Sequence, residues 1–152
     1  MQHNVWTDNS DTLVDTITRD PKRIKETGEV FTPMPLVYEI LDKLPHEVWE
    51  KDKTFLDNSC GDGNFLEGVL RRKVEVHKHK VLKALSTIYG VDLMPDNVLH
   101  ARARLVRIAL ELNPKLKKKD CEEVVNANIV CHDALTYDYS FGADSALSAL
   151  KW

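Results

Sequence analysis

The chain has 152 residues, of which 43% are hydrophobic and 30% charged, a length and composition typical of one globular domain. No apolar run is long enough to span a bilayer, and the first residues lack the basic start and apolar centre of a secretory signal, so we expect a cytoplasmic protein. The formal net charge of -3 gives no support to a surface that holds nucleic acid by its phosphates.

The first part of the chain is predicted to be an irregular extension followed by a helix. Residues 1–25 are polar and form the extension, and a domain is expected over residues 26–152. Pro33 suits the first turn of a helix, and from Met34 apolar residues recur at helical spacing until Pro45. The sequence therefore predicts one helix between these two prolines.

A strand, a glycine-rich turn and a helix are predicted next. Residues 54–57 form a short apolar run that ends in Asp57, and Gly61 and Gly63 follow closely. Apolar residues then return at a spacing near 3.6 residues, which indicates a helix. The basic stretch 71–83 either continues this helix or loops out, and a solvated face is favoured over a phosphate-binding surface.

Two further strands are predicted, with a long helix between them. Residues 87–92 form the second strand, and the helix that follows begins at Pro95 and ends before Pro114. Residues 115–120 are predicted to be a charged connector, and residues 128–131 a third strand. Strands that alternate with helices indicate βαβ units, so the sequence predicts an α/β fold with a parallel sheet.

Each predicted strand delivers an acidic residue at its carboxyl end, namely Asp57, Asp92 and Asp133. Ligands of open α/β sheets bind at this edge, and a glycine turn lets a ligand approach the backbone closely. Asp is also a favoured cap residue, and for each acid alone that interpretation is preferred. Three acids beside a glycine turn instead favour a site for a nucleoside-bearing ligand, because carboxylates would repel a diphosphate.

Four segments resemble the opening motifs of a known family. They are Thr27-Gly-Glu-Val-Phe-Thr-Pro33, Phe55-Leu-Asp-Asn-Ser-Cys-Gly-Asp-Gly-Asn-Phe-Leu66, Tyr89-Gly-Val-Asp-Leu-Met94 and Asn128-Ile-Val-Cys-His-Asp-Ala-Leu135. In this order they resemble the N-terminal half of the class I N6-adenine DNA methyltransferases of restriction-modification systems, over roughly residues 25–140. The resemblance implies an S-adenosylmethionine-binding, Rossmann-like three-layer sandwich with a parallel sheet, truncated after about three strands.

The resemblance also implies which residues would bind this cofactor. Those at its methionine end would be Phe31, Thr32 and Pro33, and those in the turn around its amino-acid and sugar portion would be Asp57, Gly61 and Gly63. Those at the ribose hydroxyls and the adenine would be Asp92, Leu93, Asp133 and Ala134.

The chain departs from this family at the catalytic motif. Those enzymes use an Asn-Pro-Pro-Tyr type motif after the fourth strand to bind the target amine and stack on the flipped base. The sequence contains no such motif, since Asn113-Pro114 lacks the second proline and the aromatic residue. No catalytic residue is therefore predicted, and any action on DNA is expected to need a partner subunit.

The first strand is expected to lie at an open edge of the sheet. In the related enzymes a fourth strand pairs with its far side, and few residues follow Asp133 in this chain. An apolar edge strand invites pairing with another chain. We expect a homodimer or a heteromer to cover this edge, unless the tail 139–152, for which helix and strand stay open, folds back and buries Trp152.

Three functions are consistent with these features. The first is an S-adenosylmethionine-dependent methyltransferase with nucleic acid as substrate, completed by a partner. The second is a catalytically inactive S-adenosylmethionine-binding module, regulatory or anti-restriction, in a restriction or phage setting. The third is an enzyme that degrades S-adenosylmethionine itself.

No metal site or disulfide framework is expected. Cys60, Cys121 and Cys131 are an odd number without Cys-x-x-Cys spacing, so reduced and mostly buried thiols are the favoured interpretation. His77 and His79 are two residues apart, a spacing that does not place two ligands on one face of a helix.

Overall fold

The computed structural model describes residues 31–142, so the extension at 1–25, the motif residues 27–30 and the tail residues 143–152 lie outside the described residues. The elements are helix α1 (Met34–Asp42), a 3-10 turn (His46–Trp49), strand β1 (Phe55–Asp57), helix α2 (Asn64–Arg71) with a π-helical continuation (Arg72–Val76), helix α3 (Val81–Ser86), strand β2 (Ile88–Asp92), helix α4 (Pro95–Leu112), helix α5 (Lys118–Asn128) and strand β3 (Ile129–Cys131). In this part of the chain no helix is long and apolar enough to cross a bilayer.

The three strands form one parallel sheet in the order β1-β2-β3. Leu56 of β1 lies opposite Tyr89, and Val91 of β2 lies opposite Val130. The α/β class and the parallel sheet are thereby confirmed, and among residues 31–142 β1 lies at an edge of the sheet, as expected. The expected connector at 115–120 is wrong in part, because helix α5 begins at Lys118.

One face of the sheet packs against the helices. Ile88 and Ile129 are buried in the main core together with residues of all five helices, and Phe55 packs against it. Gly90 leaves room on this face, since a Cβ there would lie 2.9 Å from Leu66 Cδ1 and 3.0 Å from Cys60 Sγ. The missing side chain therefore lets α2 and the turn before it approach β2 closely.

The opposite face carries Leu56, Tyr89, Val91 and Val130, as the alternation of strand side chains requires. Val91 and Val130 pack against aromatic residues of the segment 137–141, none of which is helical. Within residues 31–142 the sheet thus has one helical layer and one layer of irregular aromatic chain, in which Tyr139 and Phe141 have positive φ. The second helical layer of the expected three-layer sandwich is not seen in this part of the chain.

The basic stretch 71–83 is only partly the solvated face that the sequence suggests. Lys73 is fully buried, and its ammonium donates hydrogen bonds of 2.7 Å to the Lys53 carbonyl and to Thr87 Oγ1. Burial, followed by repulsion from Lys83, lowers the pKa of Lys73 to about 8. This lysine therefore ties the π-helical turn to the segment before β1 and to the start of β2.

Candidate ligand site at the carboxyl edge of the sheet

The three strand-end acids share one local hydrogen-bond pattern. Asp57 accepts the Ser59 N–H at 3.0 Å, Asp92 accepts the Met94 N–H at 3.1 Å, and Asp133 accepts the Leu135 N–H at 2.9 Å. In each case the carboxylate binds the backbone two residues further on, which is an Asx turn. Each acid thus shapes the turn that leaves its strand.

Asp92 also joins two strands at this edge. Its Oδ1 accepts the Gly61 N–H at 3.0 Å, and its Oδ2 accepts the Asn97 side-chain amide at 3.0 Å. The Cys60 N–H donates to the Val91 carbonyl at 3.0 Å beside them. These bonds hold the glycine turn after β1 against the end of β2.

The fit of a ribose to Asp92 can be judged from these bonds. A carboxylate offers about four acceptor positions, and three donors already occupy Asp92. One hydroxyl can be accepted without further change. The contact with both ribose hydroxyls that the family resemblance implies requires one present donor to be exchanged.

Asp57 lies half-buried beside the same turn. Burial raises the pKa of its carboxyl group, the Ser59 hydrogen bond acts to lower it, and the negative charge of Asp92 raises it again. The net direction is upward from 3.8, so the folded chain disfavours the ionised form of Asp57. An acid that is costly to ionise and only locally bonded is a candidate for a ligand contact.

We expect Asp57→Asn to stabilise the free protein at pH 7 by up to about 1 kcal/mol. The amide oxygen still accepts the Ser59 N–H, and Asn carries no charge. Because the folded-state pKa of Asp57 is raised, its stabilising contribution is present below pH 3.8 and is lost as pH rises through the folded value. Urea unfolding from pH 3.5 to 7 should show the two proteins diverging as pH rises, and a constant difference would contradict this origin.

The segment that precedes α1 lies on the glycine turn. Gly61 has a φ of +55°, and a Cβ at this position would lie 2.7 Å from Cε1 of the Phe31 ring. The Asn64 side-chain amide donates a 2.6 Å hydrogen bond to the Thr32 carbonyl. The motif around Phe31 and the glycine-turn motif, about 30 residues apart in the sequence, therefore form one surface.

A buried arginine that the sequence analysis did not single out supports this surface. The Arg104 guanidinium lies 2.6 Å from the Glu67 carboxylate and 3.5 Å from the Asp62 carboxylate, and it donates a 2.6 Å bond to Asn64 Oδ1. Arg104, Asp62 and Glu67 are all buried. The sequence does contain one indication that Arg104 is buried, since position 104 lies on the apolar face of α4 between Ala101 and Ile108.

The remaining predicted residues differ in their surroundings. Leu93 is 64% exposed directly after Asp92, an apolar side chain left free of the core. Asp133 is exposed after β3, whereas Ala134 packs with the aromatic layer and its carbonyl accepts the Tyr139 hydroxyl at 2.8 Å. Leu93 and Asp133 are thus exposed to a ligand, while Ala134 packs within the aromatic layer on the face of the sheet.

Comparisons with known proteins leave the family open. No family model matches the sequence, and no curated protein or solved structure gives a significant match. The case for a ligand at this edge accordingly rests on the motifs and on the contacts among Phe31, Gly61 and Asp92.

Proposed function

We propose that this chain is an S-adenosylmethionine-binding domain of a methyltransferase that acts on N6 of adenine in DNA, with a partner chain supplying the catalytic motif. The observation that carries the proposal is the junction of three motifs at one sheet edge. The Gly61 N–H binds Asp92, and Phe31 lies on the same glycine. Motifs that serve one ligand have to converge in this way, whereas unrelated turn residues do not.

The chemistry of this edge suits a cationic nucleoside. S-Adenosylmethionine supplies a methyl group on a positively charged sulfur, and it is cationic overall, because this sulfur and its ammonium group outweigh its single carboxylate. Asp57 and Asp133 present negative charge to such a ligand, Asp92 accepts from the ribose, and the exposed Leu93 packs on the adenine. The same carboxylates would repel a dinucleotide or a nucleoside triphosphate.

Saturating S-adenosylmethionine is expected to raise the unfolding midpoint by about 5–10 °C. A ligand at ~100 times its Kd adds about 2.7 kcal/mol to the free energy of unfolding, which corresponds to this shift for a domain of this size. Differential scanning fluorimetry measures the midpoint with S-adenosylmethionine and, separately, with ADP. Only S-adenosylmethionine should raise it.

Leu93→Ala is the variant of choice for this test. Leu93 is exposed, so its truncation leaves the stability of the free protein nearly unchanged, and we expect about a tenfold weaker affinity. In Asp92→Ala the shift should disappear, with a lower starting midpoint because the Gly61 N–H loses its acceptor. A wild-type midpoint that S-adenosylmethionine does not move would refute the proposed cofactor.

Without the proposed partner chain, the edge of β1, which is open within residues 31–142, is expected to pair with a second copy of this chain in solution. Leu56 is 52% exposed there, beside an apolar groove of about 270 Å³ lined by residues that include Ile40, Leu44 and Phe65. Two copies related by a twofold axis would pair their β1 strands in antiparallel fashion and cover both grooves. Light scattering should give twice the chain mass of 17.4 kDa.

Leu56→Lys should convert this dimer to a monomer, because a charged residue on an edge strand opposes pairing. Leu135→Lys is the matched control, since Leu135 is an exposed leucine after β3, away from β1. A wild-type protein that elutes as a monomer would rule out the second copy and leave the edge to a different partner or to residues 143–152.

A catalytically inactive module is the second candidate, because the sequence holds no Asn-Pro-Pro-Tyr motif. Incubation with S-adenosylmethionine and adenine-containing DNA, followed by product analysis, separates the candidates. N6-methyladenine supports methyl transfer, and bound but unchanged S-adenosylmethionine supports the module. Release of methylthioadenosine would support an enzyme that degrades the cofactor.

A further inference from the structure

Asn64, the first residue of α2, makes two short hydrogen bonds in opposite directions. Its Oδ1 accepts from Arg104 Nη1 at 2.6 Å, and its Nδ2 donates to the Thr32 carbonyl at 2.6 Å. Because a guanidinium can only donate, the orientation of the amide is fixed by chemistry. The planar amide of Asn64 can accept from the arginine and donate to the carbonyl at the same time.

Ion pairs with buried carboxylates fix the Arg104 guanidinium that donates to Asn64. Arg104 lies 2.6 Å from Glu67 Oε1, and Arg71 pairs with the other oxygen of Glu67 at 2.9 Å. The Arg104 guanidinium also faces Asp62, which lies inside the glycine turn. Asn64 is therefore the outer end of a buried ionic network that spans α2, α4 and the turn.

The bond to Thr32 fastens the segment 31–33 to that network. Thr32 lies between Phe31, whose ring covers Gly61, and Pro33, whose carbonyl accepts the first helical N–H of α1 from Val37 at 3.0 Å. The position of the Phe31 ring over the turn thus depends on a carbonyl that Asn64 holds.

We propose that Asn64 is a positioning residue for S-adenosylmethionine, which sets the affinity for its methionine end by fixing residues 31–33 on the glycine turn. This inference rests on the proposed function, since it assigns a role in binding the same cofactor. Asn64 does not itself contact the cofactor in this role, because both polar ends of its amide are engaged within the chain.

Asn64→Asp breaks one bond and keeps the other. The carboxylate still accepts from Arg104, but it has no donor for the Thr32 carbonyl and repels it. We expect the Kd for S-adenosylmethionine, measured by titration calorimetry, to rise about tenfold. Amide exchange in the peptide from Phe31 into α1 should accelerate severalfold, while the urea midpoint stays close to that of the wild type.

Asn128→Asp is the matched control. Asn128 also donates from its side-chain amide to a backbone carbonyl, that of Ser86 at 3.1 Å, but it lies at the opposite end of the sheet. This change should leave the affinity for S-adenosylmethionine and the exchange of the Phe31 peptide unchanged. If Asn64→Asp fails to fold, Asn64→Ser serves instead, because its hydroxyl is too short to reach Thr32 and the same rise in Kd is expected.

The outcomes separate this inference from the proposed function. A wild-type chain that does not bind S-adenosylmethionine overturns both. A wild-type chain that binds it, with an Asn64→Asp variant of equal affinity, overturns the positioning role alone, whether or not amide exchange accelerates. A rise in Kd together with faster exchange, absent from Asn128→Asp, supports it.

Discussion

Arg104→Met is expected to lower the free energy of unfolding by about 3–5 kcal/mol. Arg104 provides the positive charge between two buried carboxylates, at 2.6 Å from Glu67 and 3.5 Å from Asp62. Methionine fills a similar volume but takes the Arg104 cation from both carboxylates in a poorly solvated place, although Glu67 keeps Arg71 at 2.9 Å. The cost of buried negative charge without this cation far exceeds the small loss of packing.

Arg107→Met is the matched control on the same helix. Arg107 also pairs with a glutamate, Glu111 at 3.4 Å, but its side chain is 38% exposed. Exposed pairs of this kind contribute less than about 1 kcal/mol. Urea unfolding at pH 7 gives both values, provided that the slope of free energy against urea stays constant.

The cause of the Arg104 effect can be separated from lost packing. Adding Asp62→Asn to Arg104→Met removes one of the two buried charges that lost the Arg104 cation, so we expect it to restore part of the lost stability. If the single variant Arg104→Met costs no more than Arg107→Met, or if the double variant is less stable still, the buried charge does not organise this region.

The three strands and the contact between the glycine turn and Asp92 could be predicted from the sequence because both have local signals. Strand ends are marked by an acid after a short apolar run, as at Asp57 and Asp92, and helix starts by proline, as at Pro95. The edge position of β1 followed from the strand count and the family resemblance. Burial of Gly61 and Gly63 between the strand and α2 agrees with the predicted turn.

Helix α5 was not predicted because its sequence has too few apolar residues to show a helical period. Only Cys121, Val125 and Asn126 are buried in Lys118–Asn128, so the helix contributes too few apolar positions for a clear period. Its polar residues resemble a connector when they are considered without the sheet that they cover.

The buried cations were missed for a different reason. Arg104 and Lys73 are stabilised by groups distant in sequence, Arg104 by Glu67 and Asp62 and Lys73 by Thr87. Composition alone predicts that charged residues lie in water. The partners that make these exceptions tolerable become visible only when the chain is folded.

The interpretation of the strand-end acids as helix caps is wrong, because Gly63 and Met94 are the N-cap residues of α2 and α4, and the acids form Asx turns instead. An Asx bond uses one acceptor position on each carboxylate, so Asp57 and Asp133 keep further positions for a ligand. The turn bond also fixes the direction of the carboxylate before a ligand arrives. An acid that shapes its own turn is thereby preorganised for binding.

Gly61→Ala is expected to weaken binding of S-adenosylmethionine more than tenfold and to cost about 2–4 kcal/mol of stability. The φ of +55° strains any residue with a Cβ, and that Cβ would lie 2.7 Å from the Phe31 ring. Either the ring leaves the turn, or the turn moves away from Asp92. Both movements separate motifs that the proposed site needs together.

Gly142→Ala isolates the backbone strain from the contact with Phe31. Gly142 has a φ of +80°, but a Cβ there would meet nothing within 4 Å. It should cost only about 1 kcal/mol and leave the affinity unchanged. Calorimetric titration and urea unfolding of both variants therefore measure what Phe31 adds, and equal losses would mean that the ring over the turn has no part in binding.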